Sequence, residues 1–289
     1  MATMRLGDGR GYAFEEWGDA RGRALFWLYG APGGRLARHS DPDLWRRLGL
    51  RVVTVDRPGY GQSTPLPGRP VSHVAADVAA VADRLGIDRF AVQGLSAGGP
   101  YALALAALLG DRVAACAAVG SVAPLTVAEE AAMADINRES FRLVREEGRA
   151  GLARRLTDLR EKMLADPYGS QVTHSPDASP EERDWLTRPE VRRIAAENLV
   201  DALRPGVDGW ADDAVALVPG QPWGFDPATI TCPVRFWHGD DDANSPLSAV
   251  RRLVTAIPQA ALTIWYGEGH TAPSRHAEDV LVDLLAHWR

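Results

Sequence analysis

A pentapeptide of the form Gly-x-Ser-x-Gly, Gly94-Leu95-Ser96-Ala97-Gly98, constrains this chain of 289 residues more than any other feature. It lies between a predicted strand and a predicted helix. Glycines two positions before and after Ser96 let strand and helix approach closely, so the serine is held in a strained turn with its hydroxyl exposed. The free N–H groups of the helix N-terminus favour developing negative charge there. The pentapeptide therefore predicts a nucleophilic serine.

Short apolar runs alternate with helical patterns in the first half of the chain, and the pattern returns near the end. The runs cover residues 25–29, 52–55, 90–93, 113–119, 234–237 and 261–265. Continuous apolar runs are typical of strands buried on both faces. Between two of them Val74, Val78, Val81 and Leu85 share one helical face, with Ser72 as a candidate N-cap. This rhythm predicts an α/β fold with a mostly parallel central sheet flanked by helices.

The alternation of predicted strands and helices stops at Pro124. The following hundred or so residues are more polar, and their pattern is mostly helical. Helices are predicted at 127–147, 152–164 and 190–203. We therefore expect a core formed by residues 1–123 and 226–289, with an inserted helical lid at 124–225. The alternative is a separate helical domain packed elsewhere.

A serine hydroxyl needs a base, and seven histidines are available. His270 lies in a loop after the last predicted strand, at the same sheet edge as Ser96, and is the predicted base. The others are expected to be structural or solvated: His39, His73, His174, His238, His276 and His287.

The base needs a carboxylate partner, and Asp240, Asp241 and Asp242 follow the penultimate predicted strand. Three adjacent carboxylates cannot all be buried and charged, so at most one should face His270. Two backbone N–H groups should stabilise the oxyanion. One is the N–H group of Ala97. The second is expected from the loop at residues 30–34, where Pro32 is excluded because it has no N–H; Ala31 is the preferred donor and Gly33 the alternative.

Composition excludes several classes of function. The net charge of −6 gives no reason to expect nucleic acid or an anionic membrane as a partner. No segment resembles a signal peptide or a membrane span, so a cytoplasmic protein is expected. Cys116 and Cys232 are expected to be buried core residues, and no His/Cys spacing suggests a zinc site.

Five motifs in order resemble those of α/β-hydrolases with a helical cap. They read Tyr29-Gly30-Ala31-Pro32-Gly33, Asp56-Arg57-Pro58-Gly59-Tyr60-Gly61-Gln62-Ser63, and the segments 94–99, 239–242 and 267–270. The resemblance runs from about residue 25 to the C-terminus and is weakest in the insertion. It implies that the acid is Asp242 and that the oxyanion donors are Ala31 and Ala97.

One residue departs from this pattern, because the family usually has His where this chain has Tyr29. That side chain helps to hold the oxyanion loop, so the fine geometry of the loop is in question, although the backbone donors remain. A serine at position 96 argues against haloalkane dehalogenases and epoxide hydrolases of this fold, which use Asp there.

The expected reaction is hydrolysis of an ester or related acyl bond in a small molecule, with no metal or organic cofactor. An apolar acyl portion is expected to contact aromatic residues of the insertion: Trp185, Trp210, Trp223 and Phe225. A carbon–carbon bond hydrolase, peptidase, lyase or perhydrolase would use the same residues. A non-catalytic ligand receptor is the second alternative, and a complete set of catalytic residues argues against it.

Overall fold

A computed structural model describes residues 2–170 and 178–288, and in these ranges the chain forms one eight-stranded sheet. The strands are β1 (Ala2–Arg5), β2 (Gly11–Gly18), β3 (Arg23–Leu28), β4 (Leu50–Val55), β5 (Phe90–Leu95), β6 (Val113–Val119), β7 (Val234–Gly239) and β8 (Ala260–Trp265). Their order in the sheet is β1-β2-β4-β3-β5-β6-β7-β8. The β1–β2 and β2–β4 pairs are antiparallel and all others are parallel. The predicted mostly parallel sheet is confirmed.

The N-terminal strands β1 and β2 were not predicted from the apolar runs. They form one edge of the sheet, and the side chains of β1 alternate between partly buried and exposed. At the edge position of β1 no continuous apolar run is needed, because only one of its faces packs on the core. In β2, Glu15 and Glu16 interrupt the apolar run that ends at Phe14. The pattern that identified the central strands therefore could not identify these two.

Helices cover both faces of the sheet and also lie between β6 and β7. They are α1 (Leu44–Arg47), α2 (Val74–Arg84), α3 (Gly98–Leu108), α4 (Val127–Ala131), α5 (Asp135–Ala165), α6 (Pro180–Thr187), α7 (Pro189–Ala202), α8 (Asp208–Leu217), α9 (Leu247–Thr255), α10 (Ala272–Arg275) and α11 (Ala277–Ala286). Buried residues of α2, α3 and α9 pack with Phe26 and Val92 in one core cluster. Those of α1 and α11 pack with Leu25 and Ala91 in a second. Alternate residues of each strand thus supply the two cores.

Two local predictions need correction. Ser72 does not cap α2: it lies in a short 3₁₀ turn, Val71–His73, and no side chain caps the helix after it. The helix predicted at 127–147 is two helices, α4 and α5, with a break between them. Thr126 and Glu129 form a capping box at the N-terminus of α4, and this spacing is a sequence signal for the start of a helix.

The inserted helices α4 to α8 occupy the chain between the sixth and seventh strands. Helix α5 is interrupted at Gly148, whose φ of 67° is outside the helical region. Helix α6 begins with a second capping box, formed by Ser179 and Glu182. His174 lies outside the described residues. No helix in the described part of the chain is long and apolar enough to cross a membrane.

Candidate active site

Ser96 lies at the sharp turn between β5 and α3. With a φ of 55° it is the one non-glycine residue with a positive φ in the described ranges. A Cβ at Gly98 would lie 2.0 Å from the carbonyl oxygen of Leu28, and one at Gly94 would lie 2.4 Å from that of Gly98. Neither distance is sterically allowed, so the turn requires both glycines. The surrounding backbone thereby holds the serine in its strained conformation.

Ser96, His270 and Asp242 form a continuous hydrogen-bonded chain across three loops at the carboxyl edge of the sheet. His270 Nε2 lies 2.9 Å from Ser96 Oγ, and His270 Nδ1 lies 2.7 Å from Asp242 Oδ2. A carboxylate on one imidazole nitrogen leaves the other free to accept a proton from the hydroxyl. The arrangement can therefore activate a serine oxygen.

Of the three adjacent aspartates, only Asp242 faces His270. Its side chain is buried, and Oδ1 accepts backbone hydrogen bonds of 2.9 Å from Asn244 and Ser245. Asp240 and Asp241 are exposed, and Asp240 accepts a bond from the backbone N–H of Gly267. The loop thus separates one buried carboxylate from two solvated ones.

The pKa values of the buried pair shift in the direction that favours an ion pair. Burial alone would raise the pKa of Asp242, but the charge and hydrogen bond of His270 outweigh it and lower that pKa. Burial would lower the pKa of His270, but Asp242, and to a smaller extent Glu182, raise it. Asp242 is therefore placed to stabilise an imidazolium.

His238 lies beside this pair and was expected to be structural. It is buried, its Nε2 lies 2.7 Å from the carbonyl oxygen of Ser245, and that nitrogen is 3.5 Å from Asp242 Oδ2. Burial, the largest cause, lowers the pKa of His238. A neutral imidazole that donates to a carbonyl fits a role in holding the Asp242 loop.

Glu182, on α6, contacts the loop of His270 from the insertion. Its side chain is fully buried, and Oε1 accepts hydrogen bonds from the backbone N–H of Gly269 at 3.2 Å and from Thr271 Oγ1 at 2.7 Å. These are the residues on either side of His270. Sequence reasoning did not select Glu182, and the only sequence signal for it is the capping-box spacing after Ser179.

Ser96 opens into a cavity of about 280 Å³ between the sheet edge and the inserted helices, here called the large cavity. Ala31 and Ala97, the two predicted oxyanion donors, line it together with Ser96 and His270. Gly33 does not line it. The core also contributes apolar residues such as Leu95 and Val122 to its walls. The apolar wall residues from the insertion are Met133, Ile136, Phe141, Leu159, Met163, Leu186, Trp210, Ala214 and Leu217.

Of the four aromatic residues expected to contact substrate, the structure places only Trp210 on the large cavity. Trp185 lines a neighbouring cavity of about 90 Å³, here called the small cavity. Trp223 and Phe225 line neither of these cavities: their rings stack at 5.9 Å and pack against the main core.

The loop that carries Ala31 is held by Arg57, which sequence reasoning did not select. The Arg57 guanidinium donates to the carbonyl oxygens of Tyr29 and Gly30, the latter at 3.1 Å. Gly30 C=O and Ala31 N–H belong to the same peptide group, so this contact fixes the plane of the expected donor and polarises it. It supplies a support for the loop that does not depend on a histidine at position 29.

Asp213, on inserted helix α8, pairs with Arg57 and Arg69 at 2.6 and 2.5 Å, and all three side chains are almost completely buried. The hydroxyls of Tyr60 and Tyr101 also donate to Asp213. Burial would raise the pKa of Asp213, but the two guanidinium groups lower it to about 2. The insertion is thus joined to the loop of Ala31 by a buried charge network.

A metal site needs several His, Cys, Asp or Glu side chains close together. Within residues 2–170 and 178–288, no three His, Cys, Asp or Glu side chains lie close enough to hold a metal ion. Cys116 and Cys232 are free thiols and both are buried.

Comparison with known proteins identifies the family. A family model described as the alpha/beta hydrolase fold matches residues 24–276. The chain belongs to the α/β-hydrolase family. It is 26% identical to a bifunctional esterase/perhydrolase of Acinetobacter calcoaceticus over 100% of both chains. It is 27% identical to a non-heme haloperoxidase of Rhodococcus erythropolis, over 99% of this chain and 98% of that one.

The same fold appears in solved structures. A bromoperoxidase from Bacillus anthracis superposes with a TM-score of 0.72 at 21% identity, over 99% of this chain and 98% of that one. At this identity the likeness concerns the α/β-hydrolase fold alone.

Proposed function

We propose that this α/β-hydrolase is a serine hydrolase that cleaves an ester or related acyl bond in a small molecule through an acyl-enzyme. The observation that carries the proposal is the hydrogen-bonded chain from Ser96 Oγ through His270 to Asp242. Similarity to an esterase/perhydrolase over the whole chain supports the reaction class.

In the proposed reaction His270 takes the proton of Ser96 as the oxygen attacks the substrate carbonyl. The N–H groups of Ala31 and Ala97 stabilise the tetrahedral oxyanion, and Asp242 stabilises the imidazolium. His270 then gives the proton to the leaving alcohol. Water, activated by the same histidine, attacks the acyl-enzyme and releases the acid.

The insertion, residues 124–225, acts in this proposal as the lid over a core of residues 1–123 and 226–289. Its side chains supply most of the apolar lining of the large cavity, which suits an aliphatic acyl chain. Trp210 would contact that chain.

A fluorophosphonate probe tests the nucleophile directly. We expect one covalent adduct, located by mass spectrometry on Ser96. Ser96→Ala should remain folded, take no label and lose hydrolysis of activated esters by roughly 10³-fold or more. Ser248→Ala, a serine outside both cavities, is the control. An adduct on another residue, or a labelled Ser96→Ala protein, would contradict the assignment.

Perhydrolysis is the second candidate, in which hydrogen peroxide instead of water attacks the acyl-enzyme and releases a peracid. Full-length similarity to an esterase/perhydrolase and to a haloperoxidase favours it. Measuring peracid formed against acid formed, at a fixed peroxide concentration, separates the two outcomes. Formation of acid alone would rule out the second candidate.

A further inference from the structure

An open depression on the surface of the insertion, here called the outer depression, adjoins the large cavity. Ile136 and Leu159 line both spaces. Leu159 is buried, whereas Ile136 is 37% exposed, so Ile136 lies at the rim between the two. An acyl chain that follows the apolar wall of the large cavity away from Ser96 can therefore extend past Ile136 into the outer depression.

Charged side chains form the rest of the lining of the outer depression. Its arginines and carboxylates are Arg138, Arg142, Arg145, Arg155, Glu130, Asp135 and Glu139. All of the carboxylates are paired with arginines of the same lining: Asp135 with Arg138, Glu139 with Arg142 and Glu130 with Arg145. The lining therefore carries one positive charge in excess, and Arg155 supplies it.

Arg155 also differs from the other arginines of the protein in its environment. The residue is partly buried, yet it makes no hydrogen bond and no ion pair within residues 2–170 and 178–288. In the same ranges, every other arginine that is buried or partly buried has a carboxylate or a backbone carbonyl oxygen as a partner. A cation removed from water without a counterion is unfavourable, so Arg155 is available to an anion from outside the chain.

The charges around Arg155 select the kind of anion. The pKa of Glu139 is lowered first by its hydrogen bonds to Arg142 and, to a smaller extent, by the charge of Arg155, which therefore lies near it. Both oxygens of Glu139 already accept hydrogen bonds from Arg142, at 2.8 and 2.9 Å, so the donors of Arg155 remain unused. A guanidinium matches the two oxygens of a carboxylate. One excess positive charge beside Glu139 favours such a monoanion over a phosphate group with two negative charges.

We propose that the outer depression binds a carboxylate at the far end of the acyl chain, so that the protein hydrolyses half-esters of long dicarboxylic acids. The ester carbonyl lies at Ser96, the methylene chain lies along the apolar wall of the large cavity, and the terminal carboxylate contacts the guanidinium of Arg155. This inference rests on the proposed ester hydrolysis and names a substrate class for it.

A matched pair of substrates tests this proposal: the 4-nitrophenyl half-ester of suberic acid and the same ester with a carboxamide in place of the terminal carboxylate. The two differ in charge but hardly in shape. The wild-type protein should prefer the carboxylate in kcat/KM by roughly fivefold, a value between those of exposed and buried charged contacts. Across half-esters from adipate to dodecanedioate the preference should peak at one chain length, because the carboxylate has to reach Arg155 while the ester carbonyl stays at Ser96. Added salt should reduce the preference.

Arg155→Gln should bring the ratio of the two kcat/KM values close to one, and Arg155→Glu should instead favour an ester with a terminal ammonium group. Arg154→Gln is the matched control, because it removes the same charge one residue away. Arg154 is exposed, pairs with Glu147 and lines neither the large cavity nor the outer depression, so this variant should keep the wild-type ratio. Equal turnover of carboxylate and carboxamide by the wild type at every chain length would overturn the proposal, as would a ratio unchanged in Arg155→Gln.

Binding of monomethyl suberate to Ser96→Ala, measured by calorimetry, tests the contact with Arg155 without turnover. We expect it to bind more tightly than the matching carboxamide by a similar factor, and the two to bind equally in Ser96→Ala/Arg155→Gln. Equal binding already in Ser96→Ala would overturn the proposal. Absence of hydrolysis of neutral and charged esters, together with an unlabelled Ser96, would contradict the proposed function instead. The two failures are therefore distinguishable.

Discussion

The two sides of the candidate site are held by different forces. On the sheet side, the turn at Ser96 is fixed by backbone contacts so close that neither Gly94 nor Gly98 has room for a Cβ. On the inserted side, two buried carboxylates hold the loops: Glu182 bonds the neighbours of His270, and Asp213 pairs with Arg57. The first is a steric constraint between closely packed backbone segments, namely the turn itself and the end of β3, and the second is an electrostatic constraint between side chains of the insertion and loops of the core.

This difference has a consequence for how each side responds to change. A steric turn tolerates no alternative residue, but it is independent of pH and salt. A charge pair keeps its geometry only while both partners are ionised and shielded from water. We therefore expect substitutions in the sheet-edge loops to have the largest effects on turnover. Isosteric substitutions in the inserted helices should affect stability and pH dependence, and turnover to a smaller extent through the loops that they hold.

The largest effect should come from Asp242→Asn, on the sheet side. The amide keeps the shape but favours the wrong tautomer of His270, and the precedent in a catalytic triad is a loss of about 10⁴ in kcat. Asp240→Asn and Asp241→Asn, in the same loop but exposed, should each cost less than about tenfold, because solvated charges act through a screened field. Steady-state kcat for the three variants measures this; near-wild-type activity of Asp242→Asn would contradict it.

The contrast between the two sides also explains what could be predicted from the sequence. Ser96 and His270 stand in short motifs between recognisable strands and helices, so their meeting at one sheet edge follows from the topology. Glu182 and Asp213 stand in ordinary amphipathic helices with many other acidic residues. Asp213 lies 156 residues from Arg57, and nothing local distinguishes it from Asp212.

Pocket residues show the same limit. From the sequence, Trp210 and Trp223 could not be distinguished, because both are aromatic residues of the insertion that is mostly helical in pattern. The first lines the large cavity and the second is packed in the main core. Trp210 lies on α8, and Trp223 lies after that helix in a segment without regular structure. Which of them meets the sheet edge depends on tertiary contacts such as the Asp213 network, and no sequence periodicity reports these contacts.

The next largest effect is expected from Asp213→Asn. Loss of one carboxylate leaves Arg57 and Arg69 buried without a counterion, which should lower the free energy of unfolding by about 3 kcal/mol. Because Arg57 also holds the Tyr29 and Gly30 carbonyls, kcat should fall about tenfold with little change in KM. Urea unfolding and steady-state kinetics measure the two effects.

Asp208→Asn is the matched control, since Asp208 lies on the same helix as Asp213 and pairs with Arg149 of α5, but its side chain is half exposed. Its loss should cost less than about 1 kcal/mol. The pKa of Asp213 is lowered to about 2, so its stabilising contribution is complete above its ordinary pKa and is lost as the pH falls toward 2. The stability difference between wild type and Asp213→Asn should therefore shrink in that range; a constant difference would contradict the ion-pair explanation.

The smallest effect, and the finest test of the comparison, is expected from Glu182→Gln. The amide oxygen can still accept from Gly269 N–H and Thr271 Oγ1, so the loop of His270 should stay in place. What disappears is a buried negative charge that raises the pKa of His270. His270 must be neutral to act as base, so the rise of kcat/KM with pH should move to lower pH. Glu181→Gln, which removes an exposed charge one residue away, should leave the profile unchanged. A Glu182→Gln profile that coincides with the wild type would show that this carboxylate acts on His270 through geometry alone.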